Sequence, residues 1–393
     1  MLYLALDSNQ IRILSLKKSL MNQYYSAFFS KNYQTDLIKK GEIVNLDFLA
    51  SAIKEALVSL PEKQNKDKEV ILILPQDCFL FLRTQVPKDM AASALAAFIK
   101  DKVKNDLKIN LDDYLGDYYL TGTPAKNFIS FFALDKQLLL KYKDAFDLID
   151  LKIVNIIPET LAYYKLFEKA LRPDKQEIIS YVSYQKDRLK GYFYDTFGLL
   201  DKMSFLTELN EKKTIETVLK GKNEEFSKNE QKINRLILSG KESEGVRQDT
   251  FTKTVGIWTN PLKRIIPNFY QDYLKMLATQ NQVFPILEAD VCLGAFIFTQ
   301  ENKKFSLYKK KLFARKISLN IPFKKEALVV LITTAISFLV FYFVSQLKLQ
   351  LPKIQLAGIS LTQPTVTPTA TPTVMPSPTP TPAFAKEDLK IKV

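Results

Sequence analysis

Residues 327–347 carry no charged side chain, and their polar members are only Thr333, Thr334, Ser337, Ser345 and Gln346. About 20 such residues at helical rise cross the hydrocarbon core of a bilayer. The run is therefore expected to be one transmembrane helix, around which the rest of the chain is partitioned. Its flanks set the direction. Lys303, Lys304, Lys309, Lys310, Lys311, Arg315, Lys316, Lys324 and Lys325 precede it with no acid between residues 303 and 325, whereas only Lys348 and Lys353 follow closely. By the positive-inside bias, the expected arrangement is a single-pass protein of the cytoplasmic (inner) membrane with its amino terminus in the cytoplasm. A buried core helix is the competing reading, but such helices are usually shorter and seldom open on a basic collar.

The formal net charge of +14 over 393 residues is concentrated in that collar. Attraction to anionic lipid headgroups accounts for a local surplus of this kind, and no basic stripe interleaved with aromatics points to nucleic acid. Histidine is absent, which excludes Ser/His/Asp and Cys/His catalysis and every His-ligated metal site. Cys78 and Cys292 lie far apart in apolar stretches, as buried thiols rather than a disulfide or a ligand pair. Glycine is scarce, at 11 residues, so a Gly-rich phosphate loop has few places to form. The apolar stretch 1–6 stops at Asp7 with no basic region ahead of it, so no secretory signal is expected.

Patterning ahead of the membrane run reads as α/β. Residues 2–6, 11–17 and 23–29 are expected strands of a meander. A helix capped by Asp47 puts Leu49, Ile53, Ala56, Leu57 and Leu60 on one face, and the apolar run 69–74 fits a strand buried on both faces. A compact insert follows at about 78–134, with strands 79–86, 114–120 and 127–134 and a helix 91–107. The pattern resumes with a helix 136–149, a strand 152–157 and a helix 158–171 opened by Pro158. From about 175 to 288 the order repeats: strands 178–184, 189–194 and 199–206, helical stretches within 208–231, and a strand 232–238 ending in Ser239-Gly240-Lys241. Such a repeat suggests two related lobes with a cleft between them. Residues 1–302 are thus expected to form one folded domain and 303–326 a basic linker. After the span, 348–382 is a Pro/Thr-rich, disordered extracytoplasmic spacer, able to extend on the order of 60 Å in polyproline form. Residues 383–393 read equally as a charged tail or as the first strand of a further domain.

Several segments in this order resemble the type IV pilus assembly PilM family: GEIVNLDFLASAIKEAL from Gly41, LILPQD from Leu72, PETLAYYKLFEKAL from Pro158, LILSGKE from Leu236, VGIWTNPLKRI from Val255 and EADVCLGAFI from Glu288. The likeness covers roughly residues 1–300. It implies an actin-like, ribonuclease H-like duplicated fold with an inserted subdomain, and a role as an assembly scaffold. The added membrane helix is similar to that of the type II secretion protein GspL, which engages a secretion ATPase. Inner-membrane pilus or secretion platform proteins and an assembly ATPase are the partners this resemblance implies.

The family's fold binds ATP and magnesium, and the resemblance locates the corresponding residues here. The turn after the first strand reads Asp7-Ser8-Asn9-Gln10-Ile11-Arg12, without glycine. Asp7 is the candidate for a magnesium-bound water and Arg12 for the phosphates. Their structural alternative is a turn acceptor and a solvated strand residue. The second lobe's turn near 182–188 lacks an acid followed by glycine. The nucleoside-side loop keeps Ser239 and Gly240 but has Lys241 where a second glycine is usual. These departures imply a vestigial cleft, no catalytic residues, no metal site and no cofactor. The pairs Asp112-Asp113, Glu224-Glu225 and Glu242 with Glu244 read as solvated faces. An active actin-like ATPase, and a cell-wall or division-associated anchor displayed on the Pro/Thr stalk, are the alternatives.

Overall fold

A computed structural model describes residues 1–308, apart from 20–22, 62–65, 88, 123–125, 173, 174, 176, 229–231 and 278–282, together with Tyr342. Residues 1–317 form one unit and 318–393 another. The expected span 327–347 except Tyr342, the Pro/Thr stretch, the tail 383–393 and the collar residues Lys309, Lys310, Lys311, Arg315, Lys316, Lys324 and Lys325 lie outside the described residues. Among the described residues, no helix is long and apolar enough to cross a membrane.

The first lobe begins with β1 (Leu2–Leu6), β2 (Gln10–Lys18) and β3 (Tyr24–Asn32), an antiparallel meander. A short hairpin, β4 (Ile38–Lys39) and β5 (Glu42–Ile43), leads into α1 (Leu46–Val58). The cap of α1 is Asn45, whose side chain accepts from the Phe48 amide; Asp47, expected in that role, sits in the first turn instead. There its charge still favours the helix dipole. Strand β6 (Glu69–Leu74) pairs parallel with β1, and β10 (Lys152–Pro158) pairs parallel with β6. The sheet order is β10-β6-β1-β2-β3. All of β1, and β6 from Val70 onward, are buried, which is why neither shows polar alternation.

Between β6 and β10 lies the insert, comprising β7 (Phe79–Val86), α2 (Ala92–Leu107), β8 (Tyr114–Gly122) and β9 (Asn127–Asp135). Its sheet has the order β7-β9-β8, and Ile99 and Val103 seat α2 on it. Helix α3 (Lys136–Asp147) then returns to the first lobe, its N-terminus capped by Asp135. Helix α4 (Glu159–Lys165) is shorter than the 158–171 the sequence suggests. The fully buried Phe167 ends it, taking a non-helical backbone and packing on Tyr181 and Tyr194; only a 3₁₀ turn, Glu168–Ala170, follows.

The second lobe repeats the scheme with β11 (Ile178–Gln185), β12 (Arg188–Asp195), β13 (Gly198–Glu208), α5 (Ile215–Lys228), β14 (Ile233–Ser239), α6 (Gln248–Val255), β15 (Trp258–Pro261) and α7 (Leu262–Phe269). Its order, β13-β12-β11-β14-β15, matches that of the first sheet strand for strand. Both β10 and β15 end on a proline, Pro158 and Pro261, that opens the next helix. After α8 (Gln271–Met276), α9 (Asp290–Glu301) packs on α4 and on β1. Gly294 makes this possible, since a Cβ there would stand 2.1 Å from the Ala162 carbonyl oxygen. One core runs from β1 and β6 through α4 and α9 to Tyr181, Tyr192 and Tyr194 of the second sheet. The two lobes therefore share buried surface rather than meeting only at a hinge.

Residues 303–308, expected within the linker, belong to this body. Phe305 and Leu307 are buried.

Candidate functional site

The duplication brings the β1–β2 turn of one lobe against the β11–β12 turn of the other. Gln10 Nε2 donates to Gln185 Oε1 at 2.8 Å, and Arg188 Nη1 donates to Asn9 Oδ1 at 2.6 Å. Behind these contacts, Lys190 on β12 places its Nζ 3.2 and 3.3 Å from the Asp7 carboxylate oxygens. The same ammonium lies 2.7 Å from Glu159 Oε1 and 2.9 Å from Oε2. Glu159 is the first residue of α4 and also accepts from Tyr192 Oη at 2.5 Å and from the Gln76 amide at 3.2 Å. A lysine thus stands between two carboxylates, one from each side of the first lobe's sheet end. Charges so placed are tolerable only when paired and hydrogen-bonded.

Burial pushes the Asp7 carboxyl up, but Lys190 and Arg12 more than offset this and hold it below the usual range. Glu159 goes the other way, because its burial and the neighbouring Asp7 charge outweigh Lys190. Burial lowers the Lys190 ammonium, yet Asp7 and Glu159 raise it further than burial lowers it. The ammonium is accordingly charged throughout the physiological range.

A second buried cluster lies alongside. Asp290, the first residue of α9, accepts from Arg12 Nη1 at 2.8 Å, Tyr181 Oη at 2.8 Å and Ser239 Oγ at 2.7 Å. The helix N-terminus adds its own favourable field for this carboxylate. Arg12 also reaches Tyr163 Oη at 3.3 Å, and Tyr163 stacks on Tyr181 with centroids 4.5 Å apart. Strands β2, β11 and β14 and helices α4 and α9 are joined at this point.

The four cleft candidates can now be placed. Asp7 and Arg12 both border a cavity of about 350 Å³ between the two turns. Arg12 is not the solvated strand residue of the structural alternative, nor is it free for a phosphate; its guanidinium is buried against Asp290. Ser239 faces away from that cavity, into the Asp290 cluster. Gly240 has φ +89°, and a Cβ on it would fall 2.1 Å from the Tyr184 carbonyl oxygen, so strand packing alone requires a glycine there. Lys241 is turned outward and pairs with Glu288 at 2.9 Å.

These residues do not fit a magnesium-bound nucleotide. Asp7 is engaged by Lys190, Arg12 and Ser239 are engaged by Asp290, and the Lys190–Asp7 pair also borders a second cavity of about 120 Å³, dividing the cleft in two. Among the described residues, no group of three or more His, Cys, Asp or Glu side chains is arranged to hold a metal. The sequence reading passed over Glu159, Lys190, Tyr163 and Asp290. The available signal was a lone acid inside each apolar segment, PETLAYY and ADVCLGAF. The expected solvated acids behave as read: Asp112, Asp113, Glu224, Glu225, Glu242 and Glu244 are all exposed.

No family model and no curated protein matches the chain. Among solved structures, a chain of the PilM–PilN type IV pilus biogenesis complex matches with a TM-score of 0.54 at 14% identity, covering 75% of this chain and 96% of that one. The body has the actin-like fold. The cytoplasmic domain of EpsL, an inner-membrane component of the type II secretion system of Vibrio cholerae, matches with a TM-score of 0.40 at 11% identity, covering 79% and 98%. At such identities the likeness is one of fold, and the cleft of this actin-like body is described by its own residues.

Proposed function

We propose that this chain is a non-catalytic scaffold, held in the inner membrane by one helix at 327–347, that assembles a type IV pilus or a type II secretion-like filament. Its actin-like body docks membrane platform proteins and the assembly ATPase on the cytoplasmic side, and the basic collar rests against anionic lipid headgroups. The fold shared with a chain of the PilM–PilN complex supports the assembly role. The observation that carries the non-catalytic reading is Lys190, set between Asp7 and Glu159. The internal ammonium neutralises one of the two carboxylate charges and occupies the space between them, which disfavours a metal ion at the same place.

The test is made on the full-length protein in detergent, with a fluorescent ATP analogue and magnesium. No saturable binding and no phosphate release are expected, while the protein co-purifies with a bitopic platform protein encoded beside it. Saturable binding that is lost in Asp7→Ala, or turnover above the buffer rate, would establish the ATPase instead.

A further inference from the structure

The chain does not leave the body freely at the end of α9. Asn302 caps the helix, its amide donating to the Phe298 carbonyl at 2.8 Å, and a turn follows in which the Phe305 amide donates to the Asn302 carbonyl at 3.1 Å. Phe305 then packs edge-on against Phe298 with centroids 5.1 Å apart. Two further bonds grip the backbone itself. Asn155 Nδ2 on β10 donates to the Phe305 carbonyl at 3.1 Å, and the Ser306 amide donates to Asp117 Oδ2 on β8 at 2.8 Å. Leu307, fully buried, closes the contact.

Asp117 is a buried carboxylate in the inserted sheet, and its other oxygen accepts from the Tyr118 amide at 2.9 Å. Its neighbour Tyr119 lies against Phe298 at 5.6 Å. The opposite end of the insert grips the second lobe: Arg83 on β7 makes a two-pronged pair with Asp195 at 2.6 and 2.7 Å, and Thr121 Oγ1 donates to the Phe197 carbonyl at 2.7 Å. The inserted sheet is thus fixed at one end by the β12–β13 turn and at the other by residues 302–308.

We propose that residues 302–308 are a strap that couples the chain beyond residue 308 to the inserted sheet. With the strap seated, Asp117 holds the Ser306 amide on Oδ2 as well as the Tyr118 amide on Oδ1, and β8 stays ordered. When the downstream chain is pulled or reoriented, the Ser306 amide and Phe305 withdraw, the buried carboxylate of Asp117 loses one of its donors, and β8 loosens. Linkage makes the coupling reciprocal: a partner that clamps the inserted sheet tightens the strap, and one that distorts the sheet releases it. This holds whatever residues 309–393 attach to, and so stands apart from the scaffold reading.

Hydrogen exchange of the full-length protein in detergent tests it. Ser306→Pro removes the strap's donor without touching β8, and Phe305→Leu weakens the anchor while keeping an apolar side chain. Both should speed exchange of the Tyr114–Gly122 amides, the proline variant on the order of ten-fold, and leave β11 and β14 unchanged. In the reverse direction, Asp117→Ala should speed tryptic cleavage at Lys303 and Lys304. Unchanged β8 exchange in both strap variants would overturn the proposal. So would equal acceleration in β8, β11 and β14, which would mark a general loss of stability, or an Asp117→Ala protein cut no faster than wild type.

Discussion

A lysine ammonium buried between two carboxylates is stabilising only as a set, because each charge has given up most of its water to the others. The side chain of Lys190 is 15% exposed and that of Glu159 is 3% exposed, so removing the cation leaves two like charges facing each other with little solvent to screen them. Lys190→Met is therefore expected to destabilise the body by about 2–4 kcal/mol, read from chemical denaturation. The triple variant Asp7→Asn, Glu159→Gln, Lys190→Met, with no charges left to pair, should recover more than half of that loss. A single variant within error of wild type would show that solvent, not Lys190, carries the two acids. The sequence made Asp7 legible because it breaks an apolar strand at a turn. Lys190 was not legible, since in the strand RLKGYFYD it reads as one more polar residue on an alternating face. What that face meets is a carboxylate far away in the chain, and periodicity carries no information about partners at that separation. Arg12 was misread for the same reason.

At the scale of elements, patterning was a good guide wherever a segment's neighbours within its own lobe decided its fate. Strands β1, β6, β7 and β9 and helix α2 lie within a residue of their expected bounds, because continuous apolar runs and a clear turn at each end define them. The errors fall where contacts between elements override local preference. Helix α4 stops early so that Phe167 can enter the shared core, and residues 303–308 fold back although their lysines read as linker. The junction of α4 and α9 also predicts a pH response. Glu301, at the end of α9, accepts from Lys165 and Lys169, the latter at 2.9 Å. Burial pushes its carboxyl up, but those hydrogen bonds prevail and bring it down from 4.5 to about 2. Since the folded value lies below the ordinary one, the stabilisation is complete above about pH 4.5 and is lost as the pH falls toward 2. Glu301→Gln should therefore lower the thermal midpoint at pH 6 by an amount corresponding to about 1–2 kcal/mol after allowance for solvent screening. The gap to wild type should close between pH 4.5 and 2; a gap independent of pH would assign the effect to packing.

For the whole molecule, the proposed topology makes the body and the Pro/Thr stretch lie on opposite sides of one membrane, and the chain's own cysteines allow this to be read cleanly. Cys78 and Cys292 are both buried and free, and burial pushes each thiol up to about 12. Neither presents an accessible thiolate, so both should stay silent toward a membrane-impermeant maleimide while the body is folded. A cysteine introduced at Val283, which is 94% exposed on the body, then reports the inside, and one introduced at Thr369, in the Pro/Thr stretch, reports the outside. Under the proposed topology, which rests on the positive-inside bias of residues 303–325, intact spheroplasts should label Thr369→Cys at once and Val283→Cys only after permeabilisation. Labelling of both reporters without permeabilisation would place body and stalk together outside. Labelling of neither, with the protein released by alkaline carbonate, would mean that residues 327–347 do not span the bilayer. The actin-like body would then need another route to the membrane, and the strap at 302–308 would transmit the position of a peripheral tail rather than of an anchored helix.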